Sequence, residues 1–221
     1  MKKGWISNFR YKMKKLTTFW FITTLLVCMF SSCSKAQETI PDNDESLTDK
    51  NVLIVYLSRT KNTKVVAEII HKKVGGTLVE LELEKPYPRD YKMIVSQVAK
   101  ENETGYLPPL KTKIANIKKY DVVFVGFPTW GMQLPPPMKS FLKQYNLEGK
   151  TIVPFNTNAG YGIGSSFQTV KELCPKSTVV EGFSTKGGIE RDGILFVMEG
   201  EKEKQVDVEI QNWLKKLSLI K

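Results

Sequence analysis

From residue 50 onward the chain alternates between two hydrophobic patterns. Short runs such as Val52-Leu53-Ile54-Val55 and Val122-Val123-Phe124-Val125 have no polar face, as strands buried on both sides of a parallel sheet require. Between them lie longer stretches in which apolar residues recur at the three- and four-residue spacing of a helix with one buried face. The pattern predicts strands at 52–57, 77–83, 122–126, 151–155 and 179–183, and helices at 63–74, about 89–102, 136–145, 163–173 and 203–217. Gly75-Gly76 closes the first helix. In the last, Val206, Ile210, Trp213, Leu214 and Leu217 form one stripe, which assigns Trp213 to the core. Five strands alternating with helices predict an open α/β sheet covered on both sides. The stretch 85–119 is long for one connection, and Tyr106-Leu107-Pro108-Pro109-Leu110 inside it reads as an extended crossing over the surface.

Before residue 50 the pattern changes. Residues 1–15 hold six Lys or Arg and no acid, and 16–30 is a 15-residue apolar stretch followed by Ser31-Ser32-Cys33. That order is the layout of a secretory signal, and the apolar part falls short of the roughly 20 residues a bilayer span needs. Phe30-Ser31-Ser32-Cys33 resembles the bacterial lipoprotein box, which implies removal of residues 1–32 and a lipid on Cys33. Met13-Lys14-Lys15 would also make a compact signal start, so Met13 is an alternative initiator. Residues 34–49 carry five acids, one Lys and no apolar period, and read as a flexible linker from the lipidated Cys33. The expected organisation is a signal at 1–32, lipidated Cys and linker at 33–49, and one domain at 50–221. The expected location is exported, anchored in a membrane on the periplasmic or cell-envelope side.

This division changes the reading of charge. The formal +10 of the whole chain includes +6 from residues 1–15, whereas 50–221 carry 26 basic and 18 acidic residues, or +8. No basic helix or aromatic-interleaved basic stripe occurs, which argues against nucleic acid as a partner. A basic domain on a short tether is suited to anionic lipid headgroups. Only Cys174 lies in the domain, so an internal disulfide framework and a CxxC redox pair are excluded. The single histidine, His71, reads as a solvated helix residue, and Glu80, Glu82 and Glu84 as the polar face of a strand, so no metal is expected.

The candidate chemistry lies in three loops that follow strands. Ser58, Arg59, Thr60, Lys61, Asn62 and Thr63 stand between the first strand and the first helix, where backbone N–H groups and the positive end of a helix dipole meet. Hydroxyl and amide donors there suit a phosphate, although the same residue types also serve as helix caps. After the third strand comes a rigid loop, 127–137, with Pro128, Thr129, Trp130 and Gly131. After the fourth come Asn156, Thr157, Asn158, Ala159, Gly160, Tyr161 and Gly162. Ligands of open parallel sheets bind beyond the carboxyl ends of the strands. A phosphate loop beside two loops that each offer an aromatic outlines FMN, with Trp130 and Tyr161 placed to stack on its ring.

With these loops the chain resembles the flavodoxin family over essentially all of residues 50–221. Members carry a Ser/Thr-rich hexapeptide at the first loop, usually with Gly and then Asn-Thr at its end; Lys61-Asn62-Thr63 occupies that place. Gly126-Phe127-Pro128-Thr129-Trp130 and the later Gly149-Lys150…Pro154-Phe155-Asn156-Thr157 extend the likeness to branches with a lipoprotein signal or a long second crossover. The resemblance implies a doubly wound, five-stranded sheet in the order 2-1-3-4-5 with FMN held noncovalently. Residues 58–63 would hold its phosphate, and 128–131 and 156–162 would flank its ring.

The sequence departs from that pattern twice. If Lys61 adopts the left-handed geometry that Gly accepts freely, a strain of about 1 kcal/mol follows, which its ammonium or Arg59 would offset by approaching the phosphate. The domain is also basic where electron-carrier flavodoxins are acidic. Three functions are consistent with the sequence: an electron carrier docking with a redox partner protein, a reductase passing electrons from a nicotinamide to a quinone, and a flavin-free binding module. No second Gly-rich fingerprint after a strand supports a nicotinamide site. The expectation is therefore an FMN protein acting in electron transfer at the membrane surface.

Overall fold

The structure, a computed structural model, describes residues 50–221, all within one compact unit, 44–221. The signal, the linker and lipidation at Cys33 lie outside the described residues. Among the latter, no helix is long and apolar enough to cross a membrane.

The elements follow in the order β1 (Val52–Tyr56), α1 (Asn62–Val74), β2 (Thr77–Glu80), α2 (Tyr91–Thr104), β3 (Val122–Pro128), α3 (Pro136–Gln144), β4 (Thr151–Asn158), α4 (Ser166–Leu173), β5 (Thr178–Val179), β6 (Phe183–Lys186) and α5 (Gly200–Lys216). All strand pairs are parallel and the sheet runs β2-β1-β3-β4-β5, the order implied by the resemblance. The period of two divides each strand between two cores. Val52, Ile54, Tyr56 and Phe124 pack with Val66 and Ile70 of α1 and Ile210, Trp213 and Leu214 of α5. Leu53, Val55, Val123 and Val125 pack on the opposite face with Met138 and Phe141 of α3 and Val170 of α4. Trp213 is buried as expected, with its indole N–H donating to the Glu181 carbonyl at 3.0 Å.

The fifth strand differs from expectation, arriving in two pieces. Thr151 pairs with Thr178 and Phe155 with Phe183, so four steps along β4 face five along the edge. One extra residue bulges out near Glu181-Gly182. Pro154 supplies the cause: Val180 N–H reaches the Ile152 carbonyl, so the edge-facing position two residues on is proline, which has no N–H for the ladder. β2 is also shorter than predicted and ends at Glu80; Leu83 beyond it bridges antiparallel to Leu110 of the long crossover. That crossover carries α2, capped by Asp90, whose carboxylate accepts the Met93 N–H at 2.9 Å, and closed by Gly105.

Candidate functional site

Residues from the loops after β1, β3 and β4 line one cavity of about 960 Å³. Small-molecule and cofactor sites typically measure about 300–1,000 Å³.

The first loop turns at Lys61, whose φ of 66° and ψ of −10° are the left-handed geometry anticipated from its place in the sequence. The next donors have partners: Lys64 N–H reaches Ser58 Oγ at 3.2 Å and Val65 N–H the Lys61 carbonyl at 3.0 Å. The backbone N–H groups of residues 60–63 find no acceptor among the described residues. They form the positive end of a 13-residue helix, and Thr60, Asn62 and Thr63 lie on the cavity wall. An anion there would be met by main-chain donors.

The side chains of this loop have other duties. Asn62 donates to Thr60 Oγ1 at 2.8 Å and to the Leu195 carbonyl at 2.7 Å, and its oxygen accepts the Val197 N–H at 3.1 Å. Its amide therefore pins segment 195–197 and is not a free donor. Arg59 is held by Glu190 and by the carbonyls of Pro88 and Arg89, so its guanidinium ties three chain segments and is not free for a phosphate. Lys61 points to solvent, and no ion pair among the described residues involves it. Thr63 Oγ1 and Thr157 Oγ1 share a buried hydrogen bond of 2.8 Å that joins the first loop to the third.

In the loop after β3, Trp130 and Gln133 exchange both backbone hydrogen bonds, at 3.3 and 3.0 Å, around Gly131 and Met132. Both central residues have positive φ, 56° and 58°, the signature of a type I′ turn. Methionine in such a position is strained, and it stands 45% exposed at the cavity edge. Trp130 is half-buried and meets Tyr87 edge-to-face with 5.5 Å between centroids. The Tyr87 hydroxyl donates to Glu101; burial, and then that bond, push its pKa upward.

In the loop after β4, Asn156 is fully buried. Its amide donates to the Phe127 carbonyl at 3.0 Å and Thr129 Oγ1 at 2.9 Å, so it fixes the neighbouring loop from beneath. Asn158 Oδ1 accepts the N–H groups of Gly160 and Gly162 at 2.8 and 3.1 Å and shapes the turn that carries Tyr161. Tyr161 is 63% exposed; its ring lies under Arg191, which donates to its hydroxyl at 3.0 Å. Of the expected residues, Arg59, Thr60, Asn62, Thr63, Pro128, Thr129, Trp130, Gly131, Thr157, Asn158, Ala159, Tyr161 and Gly162 line the cavity; Ser58, Lys61, Asn156 and Gly160 do not.

Two parts of the wall had no place among the residues expected from sequence. Gly187 to Arg191 follow β6, and Gly187-Gly188 directly after the fifth strand was the available sign of a fourth loop at the same edge. One face of α2, including Ile94, Val95, Val98 and Asn102, completes the cavity beyond Trp130. No sequence signal marks it, because an apolar stripe facing a ligand has the same period as one facing a core. The charged lining residues, Arg59, Arg191, Glu103 and Glu190, balance, so the +8 of the domain is not concentrated here.

Residues 51–199 match the family model for flavodoxin. No curated protein sequence matches. The chain is similar to the solved structure of a provisionally assigned flavoprotein from Bacteroides eggerthii DSM 20697, with 30% identity over 78% of this chain and 100% of that one and a TM-score of 0.62. A second such protein, from Bacteroides uniformis ATCC 8492, shares the fold with 24% identity over 65% and 94% of the two chains and a TM-score of 0.58. So does a flavoprotein from Lactobacillus acidophilus NCFM solved in complex with FMN, at 22% identity over 66% and 98% and a TM-score of 0.54.

Proposed function

The chain belongs to the flavodoxin family, and from that premise we propose that it binds FMN noncovalently and transfers electrons at a membrane surface. The observation that carries the reading is the row of unpartnered N–H groups at residues 60–63, at the start of α1 and beside a cavity bordered by Trp130 and Tyr161. This donor set fits a phosphate monoester, and the aromatic loops fit a flat heterocycle joined to it. When bound, FMN would supply reversible one- and two-electron chemistry. The chain's part is to hold and orient it. Thr60, whose hydroxyl accepts from Asn62 and keeps its own hydrogen to donate, adds to the main-chain donors, Thr63 ties the first loop to Thr157, the Asn156 network fixes the loop that presents Trp130, and the Asn158 turn presents Tyr161.

The membrane part of the proposal rests on the lipoprotein-type signal with Cys33 and on the basic domain it would tether. A redox partner protein or a membrane quinone is the exchange partner consistent with that location.

Purification of the full chain in detergent tests the cofactor. A yellow protein that releases FMN on denaturation supports the proposal; a colourless one that ignores added FMN refutes it and leaves a flavin-free binding module. Metabolic labelling with palmitate tests the anchor: label should enter the wild type and be absent from Cys33→Ser, and an unlabelled wild type would remove the membrane role.

A further inference from the structure

The cavity does not end at the loops that outline a flavin site. It continues past Trp130 onto α2, where Ile94 and Val98 are buried yet belong to neither core of the sheet, and where Val95 stands 48% exposed. In the same cavity the strained turn holds Met132 in the open. The floor is apolar and accessible, the setting in which a flat hydrophobic ring gains by leaving water.

The far end of this arm is polar in a specific way. Lys139 Nζ donates to Asn102 Oδ1 at 2.8 Å and, more weakly, to Gln133 Oε1 at 3.5 Å. An ammonium can only donate, so these contacts fix both amides with their oxygens toward Lys139. The two NH2 groups are left with no acceptor among the described residues, and both residues line the cavity. Lys139 itself is half-buried, no ion pair among the described residues involves it, and desolvation lowers its pKa. A compartment with an apolar floor and two oriented N–H donors at one end lacks one thing, a carbonyl oxygen.

We propose that the arm between α2 and the Trp130–Gln133 turn binds a flat, apolar ring bearing carbonyl oxygens, a quinone-class molecule, with its rings against Val95, Val98 and Met132 and one carbonyl accepting from Asn102 and Gln133. The inference rests on the reading of the adjoining loops as a flavin site, since it places an exchange partner next to that site. The binding residues themselves are separate from those that would hold the flavin phosphate. The source of specificity is the polar end: an unsubstituted aromatic of the same shape would leave both amides unpaired.

The test uses the full chain loaded with FMN, titrated calorimetrically with menadione and, as a carbonyl-free control, 2-methylnaphthalene. Menadione should bind at least about tenfold more tightly than the control, the worth of one well-placed hydrogen bond to these half-buried amides. Val95→Arg, a change at an exposed helix position, and Asn102→Leu should each weaken menadione by about tenfold or more. Both should leave FMN affinity within about twofold of wild type, because neither touches the first loop. The proposal is overturned if the FMN-loaded wild type does not bind menadione, if menadione displaces FMN, if the control binds equally, or if either variant retains wild-type affinity for menadione. Should the chain fail to take up FMN, the same titrations are run on the flavin-free chain. Loss of menadione binding in both variants would then uphold the arm while the flavin reading fails, and unchanged binding would overturn both.

Discussion

Arg59 and Glu190, separated by 131 residues in sequence, form a two-pronged ion pair, with Nε at 2.8 and 2.9 Å from the two carboxylate oxygens and Nη2 at 2.7 Å. One hydrogen of Nη1 reaches the Pro88 carbonyl and one of Nη2 the Arg89 carbonyl. One side chain from the first loop thus fastens the start of the long crossover and the loop after β6, two cavity walls that no strand connects. Both partners are about four-fifths buried, so loss of one leaves the other poorly solvated.

Arg59→Ala is therefore expected to cost about 2 kcal/mol, or a Tm lower by roughly 4–8 °C for a domain of this size. Limited proteolysis should show faster cleavage within 84–90 and 187–193. A variant with unchanged Tm and cleavage would mean that the pair is an incidental surface contact.

Lys61 presents the opposite case, a residue that opposes its own backbone. Its φ of 66° is open to glycine at little cost, and no ion pair among the described residues rewards the lysine. Lys61→Gly should raise stability by up to about 1 kcal/mol, seen as a higher urea midpoint with an unchanged m-value. A lower midpoint would show that the ammonium contributes more than the strain removes.

The sequence was most informative where local geometry and chemistry coincide. Lys61 in the place of a turn glycine told both its φ and the helix start, and the two-sided apolar runs told which strands lie in the middle of the sheet. Trp130 and Tyr161 share a cavity because strands of one direction bring their following loops to one edge. What escaped were features made by long-range packing. The bulge opposite Pro154 depends on which way that residue faces, and the Arg59–Glu190 pair depends on a fold no local pattern encodes. The hydroxyl and amide donors of the first loop were legible as residue types, but their actual partners, such as Leu195 and Val197 for Asn62, were not.

The balanced lining bears on redox behaviour. Acidic surroundings disfavour added negative charge on a bound cofactor, whereas the lining of this cavity holds two arginines, Arg59 and Arg191, and two glutamates, Glu103 and Glu190, inside a domain carrying +8. An FMN-loaded protein should show a less negative reduction potential than an acidic flavodoxin, and Glu190→Gln should raise it further. Potentiometric titration giving a value as low as that of an acidic carrier would contradict the argument.

Cys174 is the only thiol among the described residues, buried at the end of α4, and burial pushes its pKa up from 9.0 to about 11. The folded protein then holds the proton more tightly than the unfolded chain. Its contribution to stability is complete below pH 9 and declines as pH rises toward 11. Iodoacetamide at pH 8 should label the native thiol far more slowly than the urea-unfolded one, and Cys174→Ala should flatten the loss of Tm between pH 9 and 11. Rapid labelling of the native protein would show that the site is open.

Gly131 and Gly164 separate two costs that are usually confounded. Both have positive φ, 56° and 55°, so an added methyl group strains the backbone equally. At Gly131 nothing lies within 4 Å of that methyl, whereas at Gly164 it would meet the Met132 carbonyl oxygen at 2.0 Å. The same carbonyl accepts the Ser165 N–H at 3.0 Å, the link between the turn that presents Trp130 and the loop that presents Tyr161. Gly131→Ala should therefore cost only the conformational term of about 1 kcal/mol. Gly164→Ala must also push the two loops apart, adding roughly 1–3 kcal/mol and loosening the cavity. Chemical denaturation gives the two stabilities, and Trp130 fluorescence reports the loop. Equal destabilisation, or an unshifted Trp130 emission in Gly164→Ala, would show that the two loops are not coupled through Met132.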